Sequence, residues 1–349
     1  MRHRNRLIQT PTVRMALRIC AILGVAVVAA RGWMGASTRA PSSGPSGAAA
    51  TPMTVNALPG QKTWRGGASS LVFGANDTYE YAPNNFETQP LIQEQVKRAG
   101  ITVIRTFIAD PSTDVEIDQR VGAIERAGAL CLVVLTNIDD LAFNTHLVRY
   151  LGPRCLMYEF GNEPDYNNIT VDDYVAAWNA EIPALRAINP QARFFGPAVS
   201  YAGAYLDDFL TRVKQSGVLP DAVTLHWYPC YDASEQACLA QAGDIYNVVT
   251  SVRAEIQQIL GKDLPIGVTE WNYDPGAPPP AYGNDASFIV PFTETAITAM
   301  IRAGVSLACQ FDIASYAGYG GLDMIDISTN QPKPQFTTME RLIAQYRPS

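Results

Sequence analysis

Eight short apolar runs, helical patterns after most of them, and two glutamates that each close such a run predict an α/β fold. The expected form is a single (β/α)8 TIM barrel without an accessory β-domain. The runs are Leu71–Asn76, Val103–Phe107, Cys131–Asn137, Cys155–Gly161, Arg193–Pro197, Ala222–Tyr228, Pro265–Trp271 and Ser306–Phe311. Most are continuous rather than alternating, as parallel strands covered on both faces should be. The glutamates are Glu163, in Gly161-Asn162-Glu163-Pro164-Asp165, and Glu270, in Val268-Thr269-Glu270-Trp271-Asn272. They lie 107 residues apart. That leaves room for three βα units of roughly 36 residues, the usual size in a barrel of ~250 residues.

The helices follow in order. Ile117–Ala127 comes after the second run, and a short pattern near 144–150 after the third. The clearest helix is Val171–Ile188, with Thr170 as N-cap, Asp172 and Asp173 in its first turn, and Asn189-Pro190 as its stop. Leu206–Gln215, Ile245–Leu260, Phe292–Ala303 and Phe336–Tyr346 complete the set. The last ends close to Ser349, leaving no length for an added domain.

Of the 349 residues 47% are hydrophobic and 17% charged, enough apolar content for one large core. The formal charge is −7. The first 30 residues contain Arg2, Arg4, Arg6, Arg14 and Arg18 and no acid, so the remainder is more acidic still. An acidic body argues against nucleic acid as a partner, because phosphate binding needs a cationic surface. The basic N-terminus leads into the apolar stretch Ile19–Ala30, a length that suits a signal peptide better than a membrane span. The expected division is a signal peptide over 1–30, an Ala/Ser/Pro/Gly-rich linker over 31–64 and the barrel over 65–349. A secreted or extracytoplasmic protein follows, with an uncleaved membrane anchor as the alternative. Export makes a Cys230–Cys238 disulfide plausible, since the two bracket a short polar loop. Cys131 and Cys155 begin consecutive strands and are either paired or buried and free. No Cys/His cluster suggests zinc, and no metal or cofactor is expected.

Side chains alternate along a strand. If Glu163 and Glu270 face the cleft, Met157, Glu159 and Gly161 share the inward side of the fourth strand. Thr224, His226 and Tyr228 share that of the sixth, and Ile266 and Val268 that of the seventh. Arg105 in the second strand is a further inward candidate, and Glu159 reads as a structural acid paired with it. Asn76 and Asn137 end the first and third strands and are candidates for binding sugar hydroxyls. Trp271 is a candidate sugar platform with helix–sheet packing as its alternative, and Trp227 reads as packing. Tyr79, Tyr81, Tyr231 and Tyr273 lie in loops after strands, where any of them can form a subsite.

Asn162-Glu163-Pro164, His226-Trp227-Tyr228 and Thr269-Glu270-Trp271, in that order on strands four, six and seven, resemble the clan A glycoside hydrolases. The resemblance covers roughly residues 70–346. It implies a retaining glycosidase acting on a β-linked, equatorial bond of a poly- or oligosaccharide. Glu163 resembles the acid/base and Glu270 the nucleophile. Asn162 would bind the hydroxyl beside the reacting carbon, Tyr228 and Arg105 would hydrogen-bond Glu270, and His226 would fix the catalytic groups. Within the clan, Gly161-Asn-Glu-Pro-Asp165 is similar to heparanase- and β-glucuronidase-like members. Asn189-Pro-Gln-Ala-Arg-Phe-Phe-Gly-Pro-Ala198 is similar to xylosidase- and iduronidase-like ones, and Leu225-His-Trp-Tyr228 to compact β-1,3-glucanases.

The competing class is a non-catalytic carbohydrate-binding barrel at a cell surface, which the presence of both glutamates argues against. An esterase or metallohydrolase is disfavoured, since only His146 and His226 follow the expected signal and neither Gly-x-Ser-x-Gly nor His-Glu-x-x-His occurs. No phosphate loop or dinucleotide fingerprint is present, and no protein partner is implied.

Overall fold

The computed structural model describes residues 57–78, 86–276, 278–314 and 321–348, all within one compact unit. The expected signal peptide, most of the expected linker, Tyr79 and Tyr81 lie outside the described residues. Leu58 and Trp64 are buried, so packing begins inside the stretch expected to be linker.

Eight parallel strands close a barrel in sequence order: β1 (Gly74–Asp77), β2 (Val103–Ile108), β3 (Leu130–Leu135), β4 (Met157–Phe160), β5 (Arg193–Val199), β6 (Ala222–Trp227), β7 (Ile266–Trp271) and β8 (Leu307–Gln310). Each expected run overlaps one of them, with ends that differ by a few residues. The first differs most, because Ser70–Val72 forms a 3₁₀ turn and the strand begins only at Gly74. There β1 meets β8, with Gly74 opposite Cys309. A Cβ on Gly74 would lie 2.6 Å from the Ala308 carbonyl oxygen, so closure at this seam needs glycine.

The outer layer is α1 (Pro90–Ala99), α2 (Asp114–Arg126), α3 (Leu141–Leu151), α4 (Val171–Ile188), α5 (Ala204–Ser216), α6 (Glu235–Gln241), α7 (Ile245–Leu260), α8 (Ala286–Arg302) and α9 (Pro334–Tyr346). The boundaries of α4 and α7 are those read from the sequence. Thr170 caps α4 by accepting the Asp173 N–H, and Thr113 starts α2 with a full capping box to Glu116. α1 was not anticipated. Its buried face carries Ile92, Val96 and Ala99 at helical spacing, with Gln93 and Gln95 buried beside them. Gln93 is satisfied there by the Phe86 and Glu87 carbonyls. A short antiparallel pair, β9 (Ile325–Asp326) with β10 (Gln331–Pro332), precedes α9.

The core has two parts. The larger fills the space between sheet and helices; the smaller plugs the barrel with Leu58, Leu71, Val103, Leu132, Met157, Phe195, Ala222, Leu307 and Cys309. Cys131–Cys155 ties β3 to the start of β4, and Cys230–Cys238 closes the loop after β6 as expected. Cys309 is free and buried. Among the described residues no helix is long and apolar enough to cross a membrane.

Candidate active site

Above the apolar plug the barrel interior turns polar, and Arg105 is its hub. Its Nε donates to Glu159 Oε2 at 2.7 Å, and Nη1 to Asn76 Oδ1 at 2.9 Å and Glu270 Oε2 at 3.2 Å. Nη2 donates to Asn162 Oδ1 at 2.6 Å and faces His226 Nε2 at 3.4 Å. Burial works against the charge on Arg105, but the carboxylates of Glu159 and Glu270 outweigh it and hold the guanidinium above its usual range. His226 Nδ1 lies 2.7 Å from Glu163 Oε1, and the Tyr228 hydroxyl donates to Glu270 Oε1 at 2.8 Å.

Strand geometry places each glutamate differently. Glu163 stands just beyond β4 in the left-handed region, at φ 45°. Such a backbone costs of order 1–3 kcal/mol in a non-glycine residue and persists only when its surroundings hold it. Here the Glu163 N–H donates to the Ala198 carbonyl at 2.9 Å, while its own carbonyl accepts from the Tyr166 and Asn167 amides. Gly161 precedes it at φ 73°, where a Cβ would approach Ile138 Cγ2 at 2.9 Å.

Glu270 reaches the cleft through a register shift. Val223 pairs with Ile266 and Leu225 with Val268, but His226 pairs with Glu270. The extra residue re-aims the strand. Simple alternation therefore fails in β7, and the expected inward placement of Ile266 and Val268 is corrected. Both belong to the sheet–helix core, whereas Gly267 meets the inward Thr224 and Leu307.

A carboxylate oxygen of Glu163, one of Glu270 and a ring nitrogen of His226 all lie within 4.8 Å of one another. The Glu163 and Glu270 side chains keep 22% and 12% exposure and Glu159 none, so only the first two can meet a substrate. The Glu163–His226–Glu270 trio is compact enough to hold a metal ion. The donor set argues against it, because Arg105 already donates to Glu270 and a dication would sit beside a buried fixed positive charge.

His226 is fully buried. Burial disfavours its charged form, yet the charge of Glu270 and the bond to Glu163 prevail and raise its pKa. The arginine facing Nε2 can only donate, so Nδ1 carries the proton that binds Glu163 Oε1. Burial, then the charge of Glu270, pushes the Tyr228 hydroxyl well above its usual range. It stays a proton donor.

The structure gathers Arg105, Asn162, Glu163, His226, Tyr228 and Glu270 into one cluster. Asn76 joins it from below, fully buried, donating to the Thr269 and Cys309 carbonyls rather than facing the cleft. Asn137 stands apart, accepting the Asp110 amide at 3.1 Å. Trp271 is corrected to packing, because it is fully buried in the sheet–helix core with the parity opposite to Glu270. Trp227 stacks on Phe292 of α8 at 6.0 Å. Tyr273 is also buried, with its hydroxyl on the Pro280 and Gly321 carbonyls, whereas Tyr231 is exposed. Sequence reasoning missed Asn272, whose amide donates to the Phe311 and Leu322 carbonyls and braces the chain after β8. It also missed Asp165, which ties the β4 loop to Ser200. Neither residue carries a periodic signal.

A closed parallel barrel with two glutamates at its strand ends belongs to the barrel glycoside hydrolases, enzymes that cleave O-glycosidic bonds on carbohydrate substrates. The chain is a member of glycosyl hydrolases family 39, whose model matches residues 149–345, more than half its length and both glutamates. Similar folds include a glucosidase from Croceicoccus marinus, 18% identical over 79% of this chain and 67% of that one, TM-score 0.59. AbfB, a family 51 α-L-arabinofuranosidase from Bifidobacterium longum, is 14% identical over 84% and 75%, TM-score 0.61. A 4-O-α-L-rhamnosyl-β-D-glucuronidase from Fusarium oxysporum is 12% identical over 80% and 70%, TM-score 0.59. At these identities the likeness is one of fold. No curated protein sequence matches the chain.

Proposed function

We propose that the protein is an exported retaining glycosidase that cleaves a β-linked bond in an oligo- or polysaccharide, with Glu163 as acid/base and Glu270 as nucleophile. The observation that carries this reading is the approach of the two carboxylates, with oxygens within 4.8 Å. Retaining enzymes hold the pair about 5–5.5 Å apart, whereas inverting ones leave about 6.5–9.5 Å for a water. The β-linkage follows from the clan resemblance. Export is supported by the basic and apolar N-terminus together with two disulfides.

The chemistry follows from the hydrogen bonds. Glu270 receives Tyr228 on Oε1 and Arg105 on Oε2, so its charged form is solvated by fixed donors as it attacks the anomeric carbon. Glu163 receives His226 on Oε1, which leaves Oε2 to carry the acid proton and deliver it to the leaving oxygen. Once Glu270 is bound to the sugar its charge is gone. Glu163, now ionised, takes a proton from water, which attacks the glycosyl–enzyme and releases Glu270.

The test is a proton NMR time course with β-glycosyl substrates. The β-anomer should appear first. Glu163→Gln and Glu270→Gln should each lower kcat by several orders of magnitude with the fold intact. First release of the α-anomer, or near-normal turnover in either variant, overturns the assignment.

A further inference from the structure

Among the described residues four tyrosine rings are exposed, and three of them stand on consecutive loops at the active end of the barrel. Tyr166, Tyr201 and Tyr231 follow β4, β5 and β6 and are 53%, 68% and 56% exposed. Large rings in water are unremarkable singly. These three are set apart by how they are rooted. Asp165 accepts the Ser200 N–H at 2.9 Å and its hydroxyl at 2.7 Å, so the residues just before Tyr166 and Tyr201 are bound to each other. The Tyr166 N–H donates to the Glu163 carbonyl at 3.1 Å, coupling that loop to the catalytic backbone. The Tyr201 ring lies over Gly203, where an added Cβ would meet Cε2 at 2.8 Å. Tyr231 follows Cys230, which is held by its disulfide and by its N–H on the Tyr273 carbonyl at 2.9 Å. A ring on a fixed loop is a preformed surface that loses little freedom when a ligand covers it.

The proton of Glu163 goes to the leaving-group oxygen, so the leaving group must touch Glu163. On one flank the neighbouring Asn162 amide is bound to Arg105 within the barrel. The other flank is bonded to the β5 loop through Ala198 and Ser200 and carries the exposed rings. We infer that Tyr166 and Tyr201, with Tyr231 further along the rim, form a stacking surface for the leaving-group sugar units of an oligo- or polysaccharide. This inference rests on the proposed role of Glu163. The C–H face of a pyranose covers an aromatic ring, and the tyrosine hydroxyls remain free for the sugar's own. The substrate is then a chain that extends past the cleaved bond, rather than a glycoside of a small alcohol.

The test compares two leaving groups on one sugar. Glucosyl, xylosyl and mannosyl β-fluorides are screened with the matching cello-, xylo- and manno-oligosaccharides, and the best-turned-over sugar is kept. Fluoride offers nothing to stack. In Tyr166→Ala and Tyr201→Ala, the ratio of kcat/KM on the oligosaccharide to that on the fluoride should fall roughly threefold to tenfold per ring. Tyr166→Phe and Tyr201→Phe should keep it. An unchanged ratio in both alanine variants overturns the inference, as does a parallel fall on both substrates, which would place the rings in the fold or the reacting centre. Glu163→Gln serves separately. It should slow the oligosaccharide far more than the fluoride, and if it slows neither, the role of Glu163 is wrong, a result distinct from any pattern among the tyrosine variants.

Discussion

Replacing Tyr228 with phenylalanine removes one oxygen and leaves the ring. In the native site that oxygen donates to Glu270 Oε1 at 2.8 Å, while Arg105 reaches the other carboxylate oxygen at the longer 3.2 Å. The tyrosine bond is thus the shorter of the two that the nucleophile receives. A hydrogen bond to a charged group contributes about 1.5–3 kcal/mol, so kcat/KM should drop roughly tenfold to a hundredfold. The hydroxyl stays protonated at working pH, because burial and the charge of Glu270 push its pKa far up. The alkaline limb of the native pH profile therefore does not belong to Tyr228 and should survive the substitution. Stability should change little, since the packing ring remains. The assay is kcat/KM on a glycosyl fluoride between pH 4 and 9, with thermal melting as control. An unchanged rate would mean that the hydroxyl does not support the nucleophile, and the reading of the β6 end of the cleft would be refuted.

Two further outcomes follow from buried charge. Glu159→Gln leaves Arg105 with one fewer carboxylate in a fully buried setting, and breaking such a pair costs about 3–5 kcal/mol. Urea denaturation should show a loss near the lower figure because glutamine still accepts a hydrogen bond, and a loss under about 1 kcal/mol would mean that the pair contributes little. The second concerns pH. Burial, then the charge of Asp77, pushes Glu87 from 4.5 up to about 10, and burial raises Asp77 and Asp312 as well. Across that window the native chain keeps a proton that the unfolded chain has lost, so this stabilisation is full below about 4.5 and declines as pH rises toward 10. Urea midpoints at pH 5, 7 and 9 should fall in that order, and Glu87→Gln should flatten the slope. A native slope that the variant leaves unaltered would place its origin elsewhere.

Strand order, the helix boundaries of α4 and α7, and the motifs carrying Glu163, His226, Tyr228 and Glu270 were all readable in the chain. Each is a local matter. A buried parallel strand must be apolar throughout, a helix must be capped, and Thr170 and Pro190 stand where Val171–Ile188 must start and stop. The pairing of Glu159 with Arg105 was legible too, because alternation aims both inward. Three things were decided only by the closed barrel. One is the fate of Trp271 and Tyr273, which the strand end left open to the cleft and packing buried in the core. Another is the shifted register between Leu225 and His226, which turns Val268 outward and Glu270 inward and which no periodicity announces. The third is the bonding of Asp165 to Ser200 and of Glu163 to Ala198, contacts between neighbouring loops that are 35 residues apart in the chain. Patterns of period two or 3.6 record which face a residue shows. They carry nothing about where a strand gains a residue or which loop another loop will touch, because those depend on curvature and closure, properties of the whole sheet.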